Sequence, residues 1–210
     1  MNRLFATRVA IQTILIGLIS TAPGLPGHAA PAAELRPDDT VEQGVAMLAE
    51  AVEPRHERAA PDKQVIVDVV SDFLSRYADL QGASRVIVST HWKTATAVQR
   101  ARFRDMLTKR VTNIVLDLIL DVNFDEVSVE AFDGNPDELP VTVNVTVQTE
   151  DASVIRLSFR MHDKFGDWRI LDVVAEGVSY LKLYRSEFRQ EIAEYGLDQA
   201  IERFAQKAAP

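Results

Sequence analysis

Apolar residues in the first part of the chain recur at helical spacing. A helix is predicted from Asp38 or Asp39, each of which can cap it, as far as Val52. Apolar residues three and four positions apart between positions 66 and 80 predict a second, amphipathic helix that ends at Gly82. Its broad apolar face indicates that this helix packs against another layer of the fold.

A long third helix is predicted after Thr96. Thr96 and Gln99 have the spacing of a capping box, in which each residue satisfies a backbone N–H group of the other. Apolar residues continue at helical spacing from Phe103 to Leu118, and at about 1.5 Å per residue such a helix exceeds roughly 30 Å.

After Asp121 apolar and polar residues alternate, which is the period of a β-strand. Four strands are predicted, at positions 127–129, 141–147, 155–161 and 168–175. The connections between them are short and rich in turn residues, so consecutive strands are expected to be antiparallel neighbours.

Helical spacing returns at Ser179, which can cap a helix that Gly196 interrupts before a last short helix at positions 197–207. The order of elements predicts an α+β fold, in which helices pack on one face of a twisted antiparallel sheet of about four strands. Helices on one face of a curved sheet leave a hollow between the layers. We expect a single domain over residues 38–210, preceded by a disordered segment at residues 30–37.

The N-terminus has the pattern of a secretory signal peptide. Arg3 and Arg8 precede an apolar run over residues 9–22, and small residues flank a cleavage site after Ala29. The run is about fourteen residues long, whereas a bilayer-spanning helix needs about twenty, so an uncleaved anchor is the weaker alternative. The predicted signal peptide is residues 1–29, and the predicted location is the periplasm.

Composition removes several classes of function. The chain has no cysteine, which excludes disulfides, thiolate metal sites and a lipidated cysteine anchor. Its net charge is −8, and loss of Arg3 and Arg8 with the signal peptide makes it more acidic still. An acidic chain is a poor general binder of nucleic acid and adsorbs weakly to anionic lipid surfaces.

No motif for catalysis or metal binding is found in the sequence. His56, His91 and His162 lack the close histidine partners of a zinc motif and are interpreted as surface or loop residues. No nucleophile elbow or phosphate-binding glycine loop occurs. We therefore predict no enzyme activity, no metal and no cofactor, and note Asp172 as the one acid in the strongest strand pattern.

Two stretches of the chain carry specific patterns of aromatic, polar and glycine residues. Residues 92–103 read W-x-x-A-T-x-x-Q-x-x-x-F, and residues 168–179 read W-x-x-x-D-V-x-x-E-G-V-S. A downstream Y-R-x-x-F at residues 184–188 and Gly196-Leu197-Asp198 complete the pattern. Together these motifs resemble the signature of the MlaC family, also called toluene-tolerance proteins, and the resemblance extends over residues 62 to 207.

The resemblance implies a periplasmic phospholipid-binding shuttle of the system that maintains outer-membrane lipid asymmetry. It implies a cavity for acyl chains between sheet and helices, with the head group outside. It also implies two partners: an inner-membrane ABC transporter complex with a lipid-binding ring protein, and an outer-membrane lipoprotein–porin complex. A hopanoid or other sterol-like lipid is the alternative cargo.

Apolar residues on the predicted inward faces are candidates for lipid binding, although core packing requires the same side chains. These predicted lipid-binding residues are Phe73, Trp92, Phe103, Leu107, Val111, Val115, Phe159, Trp168, Ile170, Tyr184 and Phe188. The candidates for contact with a lipid head group are Lys182, Arg185 and Arg189. For these three, solvated charge or a salt bridge with Asp172 or Glu176 is the alternative.

Two other functions remain open from the sequence. A small-molecule enzyme on a similar cone-shaped scaffold would need an acid such as Asp172 inside the cavity with a perturbed pKa. A scaffold protein that only bridges two membrane complexes would have a filled core and no cavity.

Overall fold

A computed structural model describes residues 35–52, 63–120, 122–149, 151–164 and 166–206. The predicted signal peptide, residues 30–34 of the predicted disordered segment, and His56 lie outside these ranges. Leu35 and Arg36, from the same predicted segment, form hydrogen bonds. The Leu35 carbonyl accepts the indole N–H of Trp168 at 2.9 Å, and the Arg36 side chain donates to the Phe132 carbonyl.

The described residues contain five α-helices. They are α1 (Pro37–Val52), α2 (Lys63–Tyr77), α3 (Leu80–Val88), α4 (Ala97–Ile119) and α5 (Tyr180–Gln206). A short 3₁₀ turn at Ser89–Trp92 leads from α3 towards α4. Within these ranges no helix combines the length and hydropathy that crossing a bilayer requires.

The first helix begins earlier than predicted, because Pro37 occupies its first turn. Asp39 accepts the backbone N–H of Arg36 at 3.1 Å, which is a capping contact. Asp38 does not cap the helix. Its buried carboxylate accepts the Phe132 backbone N–H at 2.9 Å and so holds the start of α1 against the loop after the first strand.

The second predicted helix is two helices in the structure, and the prediction that it ends at Gly82 is wrong. α2 ends at Tyr77, and the Asp79 backbone N–H donates to the Ile170 carbonyl of the sheet at 2.8 Å. The Asp79 carboxylate then caps α3 by accepting the Gly82 N–H at 3.0 Å. A Cβ atom at Gly82 would lie 2.3 Å from that carboxylate, so only glycine fits this turn.

The long helix has the predicted capping box. The Gln99 backbone N–H donates to the Thr96 hydroxyl at 3.1 Å, and the Thr96 N–H donates to the Gln99 side chain at 2.9 Å. α4 has 23 residues and is therefore about 35 Å long at 1.5 Å per residue.

One antiparallel sheet follows, with its strands in sequence order. The strands are β1 (Val122–Val129), β2 (Val141–Thr149), β3 (Val154–Lys164), β4 (Asp167–Ala175) and β5 (Val178–Ser179). The predicted α+β class is confirmed, and the two-residue β5 is the additional strand. Glu176 and Gly177, with φ of 47° and 82°, form the tight turn before β5.

The pairing of β1 with β2 is interrupted in its middle. Asn123 lies opposite Gln148 and Ser128 opposite Thr146, so residues 124–127 of β1 face the single position of Val147. A bulge of this size bends the edge strand away from its neighbour.

Three apolar clusters form the core. The first joins α3, α4 and α5 around Phe103, Phe188 and Phe204, and the second lies against the sheet around Val143 and Met161. The third joins α1, α2 and the end of α4. The break predicted at Gly196 is present, with φ of 74° and ψ of 169° inside α5.

Candidate functional site

A cavity of about 1220 Å³ opens between α1 and the edge strand β1. The end of α4 and the turn after β2 complete its walls. The lining residues are Glu42, Val45, Ala46, Ala49, Val52, Ile119, Leu120, Val122, Asn123, Phe124, Glu126, Val127, Val129, Gln148, Thr149 and Ala152.

Apolar residues occupy 11 of the 16 lining positions. Ala46 and Ala49 lie three residues apart on one side of α1, so their small side chains leave space between the helix and β1. On the other side, β1 contributes Phe124 and Val127 from the segment that bends away from β2. The cavity therefore results from small residues on the helix and a bulge in the strand.

Five polar residues complete the lining. Glu42 on α1 and Glu126 on β1 carry carboxylates, and both residues are exposed. Asn123 and Gln148 are cross-strand partners on β1 and β2. Thr149 donates its hydroxyl to Asp151 at 2.6 Å and so closes the turn after β2. Among the described residues, the lining contains no lysine or arginine.

Asp38 fixes the helix wall of the cavity. Burial raises the pKa of Asp38, but hydrogen bonds from the Arg36 side chain and the Phe132 N–H outweigh burial, so the pKa lies below its usual value. The carboxylate is therefore charged at neutral pH. It ties α1 to the loop that follows β1, which holds the two cavity walls at a defined separation.

A second buried carboxylate joins the helices to the far half of the sheet. Asp79 accepts the Lys164 ammonium at 2.9 Å and lies 3.1 Å from the His162 Nε2. Burial raises the pKa of Asp79, but the hydrogen bond from the Gly82 N–H and the nearby Lys164 and His162 lower it by more. The pKa of Asp79 therefore lies below its usual value. His162 is a half-buried strand residue, and not the surface or loop residue predicted from the sequence.

The predicted lipid-binding residues lie outside the lining of this cavity. Phe103, Leu107, Tyr184 and Phe188 are at most 3% exposed in the first cluster, with Trp92 and Val111 packed against it. Phe103 and Phe188 have ring centroids 4.6 Å apart, so the rings fill the space between α4 and α5.

The remaining candidates also pack in the core clusters. The residues packed against the sheet cluster are Phe159, Trp168 and Ile170, and those packed in the third cluster are Phe73 and Val115. Their assignment as lipid contacts stays a prediction.

The three predicted head-group residues are exposed on α5, at the opposite edge of the sheet from β1. Arg185 donates to the Ser89 hydroxyl at 3.3 Å. Their alternative partners are engaged elsewhere, since Asp172 lies 3.8 Å from Arg160 and Glu176 accepts the Arg156 N–H at 2.7 Å.

The cavity-lining residues on α1 were missed by sequence reasoning. Val45, Ala46, Ala49 and Val52 have a helical apolar spacing that could have marked this face. Nothing in that spacing indicates that α1 lies beside β1, which follows 70 residues later in the chain.

The sequence of the chain matches a known protein family. The sequence model of the family described as MlaC protein matches residues 42–206, which is most of the chain. The chain belongs to the MlaC family. The match includes α1 from Glu42 onwards, the sheet and α5, and therefore every residue that lines the cavity.

Relatives of this MlaC-family chain include two transport or tolerance proteins. The toluene tolerance protein ttg2D of Pseudomonas putida is 21% identical over 176 residues, covering 82% of this chain and 81% of its own. The intermembrane phospholipid transport system binding protein MlaC of Haemophilus influenzae is 22% identical over 181 residues, covering 84% of each chain.

The fold is shared with a solved structure. A phospholipid-binding protein from Ralstonia solanacearum, in complex with a phospholipid, has a TM-score of 0.64 and 17% identity. The likeness covers 82% of this chain and 100% of that one. At this identity the comparison shows that the fold is the same.

In this MlaC-family chain several signature residues build the fold. The Asp172 carboxylate accepts the Ser179 hydroxyl at 2.7 Å and the Leu181 N–H at 2.9 Å, and the Ser179 hydroxyl accepts the Lys182 N–H. These contacts fix the first turn of α5, so Ser179 caps the helix as predicted. Within the described ranges, no group of acids and histidines is placed to hold a metal ion.

Proposed function

We propose that this protein is a phospholipid carrier that holds the acyl chains of its cargo in the cavity between α1 and β1. The observation that carries this proposal is the cavity itself, with a volume of about 1220 Å³ and apolar residues at 11 of its 16 lining positions. Pockets for ordinary small ligands are about 300–1,000 Å³, so this space suits a larger ligand. The relatives named for phospholipid transport or binding support the same cargo.

The energetics of lipid transfer explain why such a cavity is needed. A two-chain phospholipid has about thirty methylenes, and exposing them to water costs roughly 25 kcal/mol at about 0.8 kcal/mol each. Free diffusion through water is therefore negligible. Val45, Val127 and Val129 supply the kind of surface that replaces water around the chains.

The setting that we propose is the periplasm, reached by means of the signal peptide at residues 1–29. There the protein would carry lipid between the outer and inner membranes. Its partners would be the ABC transporter complex with its lipid-binding ring and the outer-membrane lipoprotein–porin complex. The proposed activity is transfer without chemical change, and no cofactor is part of it.

The carrier can be tested by filling the cavity. Ala49→Phe places a large ring between α1 and β1, and we expect the amount of co-purified lipid per folded protein to fall about tenfold or more. Lipid is measured by native mass spectrometry and by extraction. The matched control is Ala193→Phe, at an exposed position of α5, which should keep its lipid.

Three results would overturn the proposal. The first is a parent protein that contains no lipid and takes up none from vesicles. The second is unchanged loading in a folded Ala49→Phe variant. The third is a bound molecule of hopanoid mass in place of a phospholipid, which would keep a carrier but replace the cargo.

A further inference from the structure

The polar part of the cavity lining has an unusual charge. A phosphate-binding site is ordinarily lined by lysine or arginine, which supply positive charge and several N–H donors. Here the ionisable residues of the lining are Glu42 and Glu126, one from each wall. The charge that the described side chains bring to the cavity lining is therefore negative.

We infer that the cavity selects zwitterionic phospholipids, whose head groups carry an ammonium group, over phospholipids with a net negative charge. This inference rests on the proposed function. An ammonium group offsets the charge of the lipid phosphate and is attracted to the two carboxylates. A lipid without that group brings only its negative charge to the same place.

The position of the two carboxylates supports this selectivity. Glu42 lies on the exposed side of α1 beside Ala46, and Glu126 lies on the bent segment of β1. Both residues are exposed, whereas the lining residues Val52 and Ile119 are buried. Acyl chains packed against the buried apolar residues leave the head group on the exposed side, where the lining carries the two carboxylates.

The neutral polar residues fit the same ligand. The Gln148 carboxamide presents N–H donors that contact phosphate oxygens without adding charge. The cationic candidates Lys182, Arg185 and Arg189 lie on α5, and none of them is among the residues that line the cavity. The lining therefore gains no positive charge from these three residues.

The experiment is a competition on one membrane surface. Delipidated protein is incubated with vesicles that contain equal amounts of phosphatidylethanolamine, phosphatidylcholine and phosphatidylglycerol, and the lipids recovered with the protein are counted by mass spectrometry. We expect each zwitterionic lipid to exceed phosphatidylglycerol by about fivefold, the effect of one screened contact between charges. The preference should decrease in high salt.

Variants separate this inference from the proposed function. Glu42→Gln combined with Glu126→Gln should bring the ratio of zwitterionic to anionic lipid recovered with the protein close to their ratio in the vesicle, and this ratio is compared per molecule of bound lipid. Glu50→Gln, on the same helix but outside the lining, should keep the parent preference. Uptake in the proportions of the vesicle by the parent, or an unchanged preference in the double variant, overturns the inference while the carrier stands. No uptake of any lipid overturns the carrier itself.

Discussion

Replacement of Phe188 by alanine tests whether the aromatic residues between α4 and α5 are core or lipid contacts. Phe188 is 0% exposed, and its ring lies 4.6 Å from Phe103 and 5.6 Å from Phe204, measured between centroids. Phe→Ala changes at buried positions cost about 3–5 kcal/mol. Because Phe188 is fully buried and packs against two aromatic rings, we expect a loss of about 4 kcal/mol in the free energy of unfolding.

The assay is unfolding in urea of protein stripped of lipid, since a bound ligand would add its own stabilisation. Trp92 packs against the affected cluster and Trp168 against the sheet cluster, so tryptophan fluorescence reports on both regions. A loss of this size lowers Tm by about 8–16 °C in a protein of this length. The control is Val98→Ala, at a position that is 68% exposed, for which we expect a change within about 0.5 kcal/mol.

Lipid content decides between the two assignments. If Phe188 belongs to the core, the folded fraction of Phe188→Ala retains the same amount of lipid per molecule as the parent. A loss below about 1 kcal/mol together with reduced lipid per folded molecule would refute the core assignment. It would instead support the lipid-binding role predicted from the sequence.

Three further predictions concern single residues. The pKa of Asp79 is lowered in the folded state. The ionised carboxylate therefore stabilises the protein above its pKa in the unfolded chain, about 3.9, and this stabilisation is lost as the pH falls through the pKa of the folded state. In Asp79→Asn the free energy of unfolding, measured in urea, should therefore depend less on pH in the acid range. Asp172→Asn should reduce stability by about 1–3 kcal/mol in urea titration, with bound lipid unaltered in mass. Gly177→Ala should reduce stability by about 1 kcal/mol because of its positive φ, and an unchanged midpoint would contradict the turn.

Elements whose signals are local were predicted well from the sequence. The capping box of Thr96 and Gln99 needs only residues three apart, and β2 and β3 follow from strict alternation. The first strand was predicted only at positions 127–129, whereas β1 begins at Val122, because two adjacent polar residues at positions 125 and 126 interrupt its alternation. The break at Gly196 follows from the freedom of glycine to adopt positive φ. The division between α2 and α3 was missed because it depends on Asp79 bonding to Ile170 and Lys164, which are distant in the chain.

The sequence by itself determined the class of fold, the family signature and the absence of cysteine chemistry. The tertiary structure alone decided which apolar residues line the cavity. Phe188 and Val127 both belong to a regular spacing of apolar residues, and such a spacing indicates only that these side chains are removed from water. Whether an apolar side chain meets a packed neighbour or an open cavity depends on which elements lie opposite it, and here the bend in β1 and the alanines of α1 leave the space open.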